Sequence, residues 1–129
     1  MVRDAPVKFS KESVNSLVVQ SVSATAIRVS GESYTNTIAL TPGQMLPDWP
    51  ARPVADLSID DFYALLGENP ELVIIGTGAT NVFPPRELVF AFARRGIGLE
   101  VMDTAAAART FNVLAAEGRR IAAILCLDN

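Results

Sequence analysis

The hydrophobic pattern changes period partway along the chain, dividing it into halves of different construction. From Leu17 to Leu40 the text LVVQSVSATAIRVSGESYTNTIAL is rich in valine, isoleucine and threonine, with alternation in AIRVSG and TNTIAL and Gly31 as punctuation. β-Branched residues at a period of two predict two or three antiparallel strands joined by tight turns. Thr41-Pro42-Gly43 closes this layer. The segment from Gln44 to Pro53 holds Trp49 and three prolines. It is predicted to form no regular element, the indole ring pinning the loop onto the core.

Strand and helix alternate in the second half. Ser58 followed by Asp61 resembles a capping box with Asp in place of Glu, opening a helix over IDDFYALLG. Ile59, Phe62, Leu65 and Leu66 share one side of it, and Gly67 supplies the stop. After the Asn69-Pro70 turn, ELVIIG has the profile of a fully buried strand. Pro84-Pro85 stands where a helix N-terminus belongs, with Leu88, Val89 and Phe92 spaced for burial and Gly96 ending the element. GLEVM follows as a strand. Asp103 and Thr104 are both good N-caps for the alanine-rich helix from about Thr104 to Glu117, and RIAAILCL completes the chain as a strand. On that last helix Phe111 and Leu114 are predicted to face the sheet. A meander followed by alternating strand and helix indicates the α/β class.

Composition bounds what such a chain can do. Its 129 residues fit one domain, 1–129, whose first fifteen residues are polar and expected to be loosely docked. Half the residues are hydrophobic and only 19% are charged, the profile of a compact core. The one cysteine, Cys126, excludes an intrachain disulfide, and its place in IAAILCL predicts a buried, reduced thiol. With no histidine, the usual nitrogen and sulfur zinc sites lack ligands and the commonest general base is missing. No metal or cofactor is expected. The apolar runs LVII and IAAILCL fall far short of the roughly 20 residues of a membrane span, and MVRDAPVKFSKES lacks the apolar stretch of a secretory signal. A cytoplasmic location without membrane insertion is the expectation. A net charge of −3 argues against a nucleic-acid binder that works by bulk electrostatics.

The charge is unevenly spread. Residues 1–71 carry five basic and nine acidic side chains, whereas residues 72–129 carry six arginines and five acids. Arg86, Arg94, Arg95, Arg109, Arg119 and Arg120 form either a solvated face or a site for an anion or acidic partner.

Three clusters are candidates for chemistry. Gly76-Thr77-Gly78 lies between a buried strand and a helix, with Glu100 placed 24 residues after Gly76. That arrangement is superficially like a dinucleotide-binding turn, but Asn81 occupies the third glycine position and Pro84-Pro85 delays the helix. Glycine as a means to positive φ and close backbone packing is the simpler account. Glu100 interrupts an apolar strand, which calls for an exposed face or a pairing with Arg109 or Arg120. Asp103 is most simply a helix cap. Arg109, Thr110 and Asn112 could offer donors to an anion in a cleft, or tie a neighbouring loop's carbonyls to the helix. Arg109 and Asn112 project from the same side because they are three residues apart. No Gly-x-Ser-x-Gly elbow is present, and Asp60-Asp61 and Asp103 have no calcium-loop spacing.

GTG at 76–78, FPP at 83–85, GIGLEVMDT at 96–104 and RTFNVLAAEGRR at 109–120 resemble a small domain family first defined by a Methanothermobacter hypothetical protein. The family includes the mitochondrial respiratory complex I assembly factor and an adipogenesis-associated protein. The resemblance covers nearly the whole chain, with Tyr34 and Trp49 inside it. It implies a three-layer α/β fold: a mixed five-stranded central sheet, helices packed on it and a small N-terminal β layer. It implies no established enzymatic activity. Many members carry cysteine and tyrosine where this chain has Ala108 and Phe111, which argues against a redox role for that thiol or a role for that phenol. No transit peptide is expected at the start of this chain, which would be more like the free-standing bacterial form.

The leading expectation is a non-enzymatic interaction or assembly protein with protein partners, among them a membrane-complex subunit, and with self-association allowed. The alternative is a small-molecule or anion binder, or an enzyme. It would use the cleft near Gly76, Thr77 and Gly78, with Glu100, Asp103, Thr104, Arg109 and Asn112 as its polar groups.

Overall fold

The computed structural model describes residues 16–47, 49 and 52–127; the expectation for the first fifteen residues lies outside this range. Strands β1 (Val19–Val22), β2 (Ile27–Val29) and β3 (Glu32–Tyr34) form an antiparallel sheet in that order. Val19, Ile27 and Val29 turn inward while Gln20, Arg28 and Ser33 meet solvent, as a period of two dictates. A register shift between Val19 and Ser21 bends β1.

The larger sheet contains β4 (Ile38–Leu40), β5 (Met45–Leu46), β6 (Leu72–Gly76), β7 (Gly98–Met102) and β8 (Ile121–Leu125). Its order is β5-β4-β8-β6-β7. β7 and β8 flank β6 in parallel, while β8–β4 and β4–β5 are antiparallel, so the sheet is mixed. The segment from Gln44 to Pro53 therefore holds one short strand where none was predicted. Thr41 creates it: its hydroxyl accepts the amides of Gly43 and Gln44, and the resulting turn lays Met45 and Leu46 against Leu40 and Ala39.

Three helices complete the fold: α1 (Tyr63–Leu66), α2 (Arg86–Arg94) and α3 (Thr104–Ala116). The first differs from the single helix predicted after Ser58. Ile59–Phe62 is a 3₁₀ turn, followed by one α turn. Asp61 reaches back to the Ser58 amide at 2.9 Å and meets Arg52 at 3.4 Å, holding this entry tight.

Chain direction places α2 and α3 on opposite faces. β6 to β7 steps one way along the sheet, and β7 to β8 steps back across β6, so crossovers of one hand land on either side. Side-chain alternation follows. Ile74, Ile121, Ala123 and Leu125 pack with Ala107, Ala108 and Phe111 of α3 and with the inward residues of the small sheet. Val73, Ile75, Ala122 and Ile124 pack with Leu88 and Phe92 of α2 and with Phe62 and Leu65. On this second side Phe62 stands edge-on to both Trp49 and Phe92, each pair 5.1 Å between centroids, so the tryptophan does pin its loop. Val89 is exposed, contrary to its predicted burial. Leu88, Ala91 and Phe92 already fill the inward stripe, and Val89 falls beside it.

At the opposite end of the sheet from these helix starts, Glu71 binds the Arg119 side chain at 3.0 Å and the Arg120 amide at 3.2 Å. The hydrogen bond from Arg119 leads in holding this carboxyl below its ordinary range, followed by that from the Arg120 amide. A depressed carboxylate pKa contributes stability above the ordinary carboxylate range and loses it as falling pH protonates the group. The side chains are exposed, so the contribution is small.

Phe111 is fully buried and Leu114 only partly so. Phe111→Ala should cost about 3–5 kcal/mol in urea unfolding, the range for a truncated core aromatic, and Leu114→Ala should cost less. A Phe111→Ala loss within about 0.5 kcal/mol, typical of surface changes, would contradict this placement of α3.

Candidate functional site at the carboxyl ends of the parallel strands

β6, β7 and β8 run parallel, so their carboxyl ends meet at one edge of the molecule. β6 there leads toward α2 on one face, and β7 toward α3 on the other. Such divergence opens the crevice where α/β sheets commonly bind ligands.

Gly76 lets this edge close up. A Cβ added there would lie 2.9 Å from the Thr104 Cα and 3.0 Å from the Ala107 Cβ, so the first turn of α3 rests directly on the end of β6. Thr104 then ties the strand ends together. Its hydroxyl accepts the Gly78 amide and donates to the Cys126 carbonyl, both at 2.7 Å. Its own amide donates to the Gly78 carbonyl at 2.9 Å, and the Thr77 amide donates to Met102 at 2.8 Å. Gly78 has a φ of 103°, which a side chain would strain. The Thr77 hydroxyl donates to the Thr80 carbonyl at 2.6 Å and accepts the Val82 amide at 3.1 Å, fixing the loop that follows.

These bonds weigh against phosphate at the Gly76–Gly78 turn. The Thr77 and Gly78 amides are already donated within the protein. The start of α3 is also occupied, because the Asp103 side chain is its N-cap and accepts the Ala106 amide at 2.8 Å. Thr104 is the first helical residue rather than the cap, which leaves its hydroxyl for the strand ends.

Asn112 is committed to the fold in a similar way. Its carbonyl accepts the Val19 amide at 2.9 Å and its amide donates to the Val19 carbonyl at 2.8 Å. Val19 lies on the edge strand β1, so one side chain satisfies two backbone groups that have no neighbouring strand. Arg109, one turn earlier, is exposed. Glu100 is exposed on β7, the last strand of the sheet, and forms no ion pair with Arg109 or Arg120. The Arg120 guanidinium instead donates to the Asn69 carbonyl.

Two adjoining cavities result. Gly78, Asp103, Thr104 and Cys126 line one of about 290 Å³, roofed by the β1–β2 turn. Arg109 and Asn112 line a second of about 200 Å³ against β1, and Val22 and Ala105 border both. Gly76 and Thr77 line neither, and Glu100 stands apart. Cys126 is a buried thiol in the wall of the first. Among the described residues no group of His, Cys, Asp and Glu could hold a metal ion.

A different surface escaped the sequence reading. Phe83 is 82% exposed and Phe90 51%, with Val82 and Val89 also exposed. On α2, Arg86, Phe90 and Arg94 recur every four residues and form the stripe farthest from the sheet. Five consecutive apolar residues, LVFAF at 88–92, exceed what one buried helix face can use, and that excess was the available signal.

The chain belongs to the family described as protein of unknown function (DUF498/DUF598), which it matches over residues 19–126. It is 32% identical to the NADH dehydrogenase [ubiquinone] 1 alpha subcomplex assembly factor 3 of Danio rerio over 119 residues, 91% of this chain and 68% of that protein. To the Homo sapiens assembly factor of that name it is 30% identical, over 91% of this chain and 64% of the relative's length. Among solved structures, a Bordetella parapertussis protein superimposes with a TM-score of 0.80 at 34% identity, covering 88% of this chain and 97% of that one. The three-layer fold that the motifs implied is thus the fold observed.

Thr104→Val should lower stability by about 1–3 kcal/mol for each buried group left without its partner. Thr104→Ser, which keeps the hydroxyl, should lose markedly less. Equal losses in urea unfolding would show that methyl packing, not the hydroxyl, secures this corner.

Proposed function

We propose that the chain is a non-enzymatic cytoplasmic interaction protein that serves the assembly of a respiratory membrane complex. The observation that carries this reading is the aromatic and arginine surface of α2. Phe90 is exposed between Arg86 and Arg94 on the outward stripe, and Phe83 is exposed in the segment that leads into the helix. Aromatic residues and arginine are the side chains enriched where proteins dock, and they dominate the energetics of such contacts. Two relatives matched over 91% of this chain carry the name of a complex I assembly factor, which supplies the kind of partner. The sequence contributes as well: without histidine the chain lacks the commonest general base. No helix among the described residues is long and apolar enough to cross a membrane, so contact with a membrane complex would be made from its surface.

The partner surface and the strand-end corner are separate. Phe83 and Phe90 contribute little to the core, so replacing them with serine should leave the unfolding midpoint nearly unchanged. Affinity capture of the tagged chain from its native host should recover subunits of a respiratory complex. The Phe83→Ser/Phe90→Ser variant should lose them. Undiminished capture by a folded double variant would remove α2 from the contact, and recovery of no complex subunit by the parent chain would remove the assembly reading.

A further inference from the structure

The larger cavity at the strand ends has a composition that selects among ligands. Val22, Ala24, Ala79, Ala105 and Leu127 supply most of its wall, and among the described residues no lysine or arginine lines it. Its polar groups are largely spent. The Thr104 hydroxyl is held between Gly78 and Cys126, and the Ser23 hydroxyl is engaged within the β1–β2 turn. Asp103 uses Oδ1 to cap α3, and among the described residues its Oδ2 has no hydrogen-bond donor. Among the described side chains of its wall, the unspent acceptor is therefore a carboxylate oxygen at the edge of an apolar hollow. Among the described residues, an anion would meet that carboxylate with no lysine or arginine in the wall to balance it, and the Thr77, Gly78 and Thr104 amides are already donated within the protein.

We propose that this cavity binds a small molecule with an apolar body and an ammonium head, the head paired with Asp103 and the body against Val22, Ala79, Ala105 and Leu127. A volume of about 290 Å³ suits a single ring with a short chain and falls just below the roughly 300–1,000 Å³ typical of ligand sites. The hollow is preformed, because Thr104 fixes the loops after β6 and β8 to the start of α3. A charge-assisted hydrogen bond to one oxygen then orients the ligand, while burial of its body supplies most of the affinity. This site shares no residue with the α2 surface, so its failure and the failure of the assembly reading are distinguishable.

Three probes of matched body separate the possibilities: phenethylamine, 2-phenylethanol and 3-phenylpropanoate, titrated into the full chain and followed by backbone amide NMR shifts. Phenethylamine should give saturable shifts at Gly78, Ala79, Thr104, Ala105 and Leu127. It should bind at least about tenfold tighter than the carboxylate, a difference of about 1.4 kcal/mol. Asp103→Asn keeps a good N-cap and should abolish the preference for the amine. Ala105→Trp should block the cavity to all three probes. Equal binding of the amine and the alcohol, tighter binding of the carboxylate, saturable shifts confined to another surface, or none with any probe would each overturn the proposal.

Discussion

The approach of α3 to the end of β6 is the contact on which the rest of the structure depends. Both faces of the five-stranded sheet must be covered, and the helix between β7 and β8 covers one of them. Its first turn can come down on the strand only because Gly76 has no side chain, where a Cβ would meet the Thr104 backbone at 2.9 Å. Once there, Thr104 supplies a donor and an acceptor to the groups that β6 and β8 leave unpaired at their ends. The two residues come from separate elements and have one effect. Glycine permits the contact and threonine makes it favourable.

Covering the faces also limits where function can reside. Ile74 and its neighbours lie under α3 and the small sheet, and Val73 and Ile75 under α2 and the turns around Phe62. What remains includes the strand-end corner, a hollow of about 330 Å³ lined by residues 34–38, 45–47 and 49, and the outer surfaces of the helices. Asn112 joins α3 to β1 and so spends a polar side chain on architecture at the border of that corner. The outward stripe of α2 has no comparable duty. Phe90 there and Phe83 just before the helix leave much of their rings in solvent, and the proposed partner surface would give them a role.

Much of this was legible in the sequence where period and punctuation agree. The buried strand ELVIIG, the cap at Asp103 and the return strand RIAAILCL all stand where pattern placed them, because each depends on local chemistry or on simple burial. The two-residue strand β5 was not legible: it exists through the Thr41 turn and a partner strand, and its own residues carry no period. The length of the helix after Ser58 was misjudged because side-chain spacing does not distinguish a 3₁₀ entry from an α turn. At the candidate site, the pattern located Gly76, Gly78, Asp103 and Thr104, but it did not reveal that Thr104 bonds across to Cys126, a contact 22 residues distant in sequence. The outward placement of Phe90 follows only once Leu88 and Phe92 are known to face the sheet.

The closure at Gly76 can be measured directly by Gly76→Ala, read by urea unfolding together with amide hydrogen exchange at Gly78 and Cys126. Both amides report on the corner, since Gly78 donates to Thr104 and Cys126 to the Gly76 carbonyl. The added methyl must push α3 away from the sheet, so the variant should lose about 1–3 kcal/mol, the usual cost of overpacking. Exchange at both amides should quicken beyond what that global loss explains. Stability within about 0.5 kcal/mol of the parent, with protection of both amides unchanged, would contradict the account.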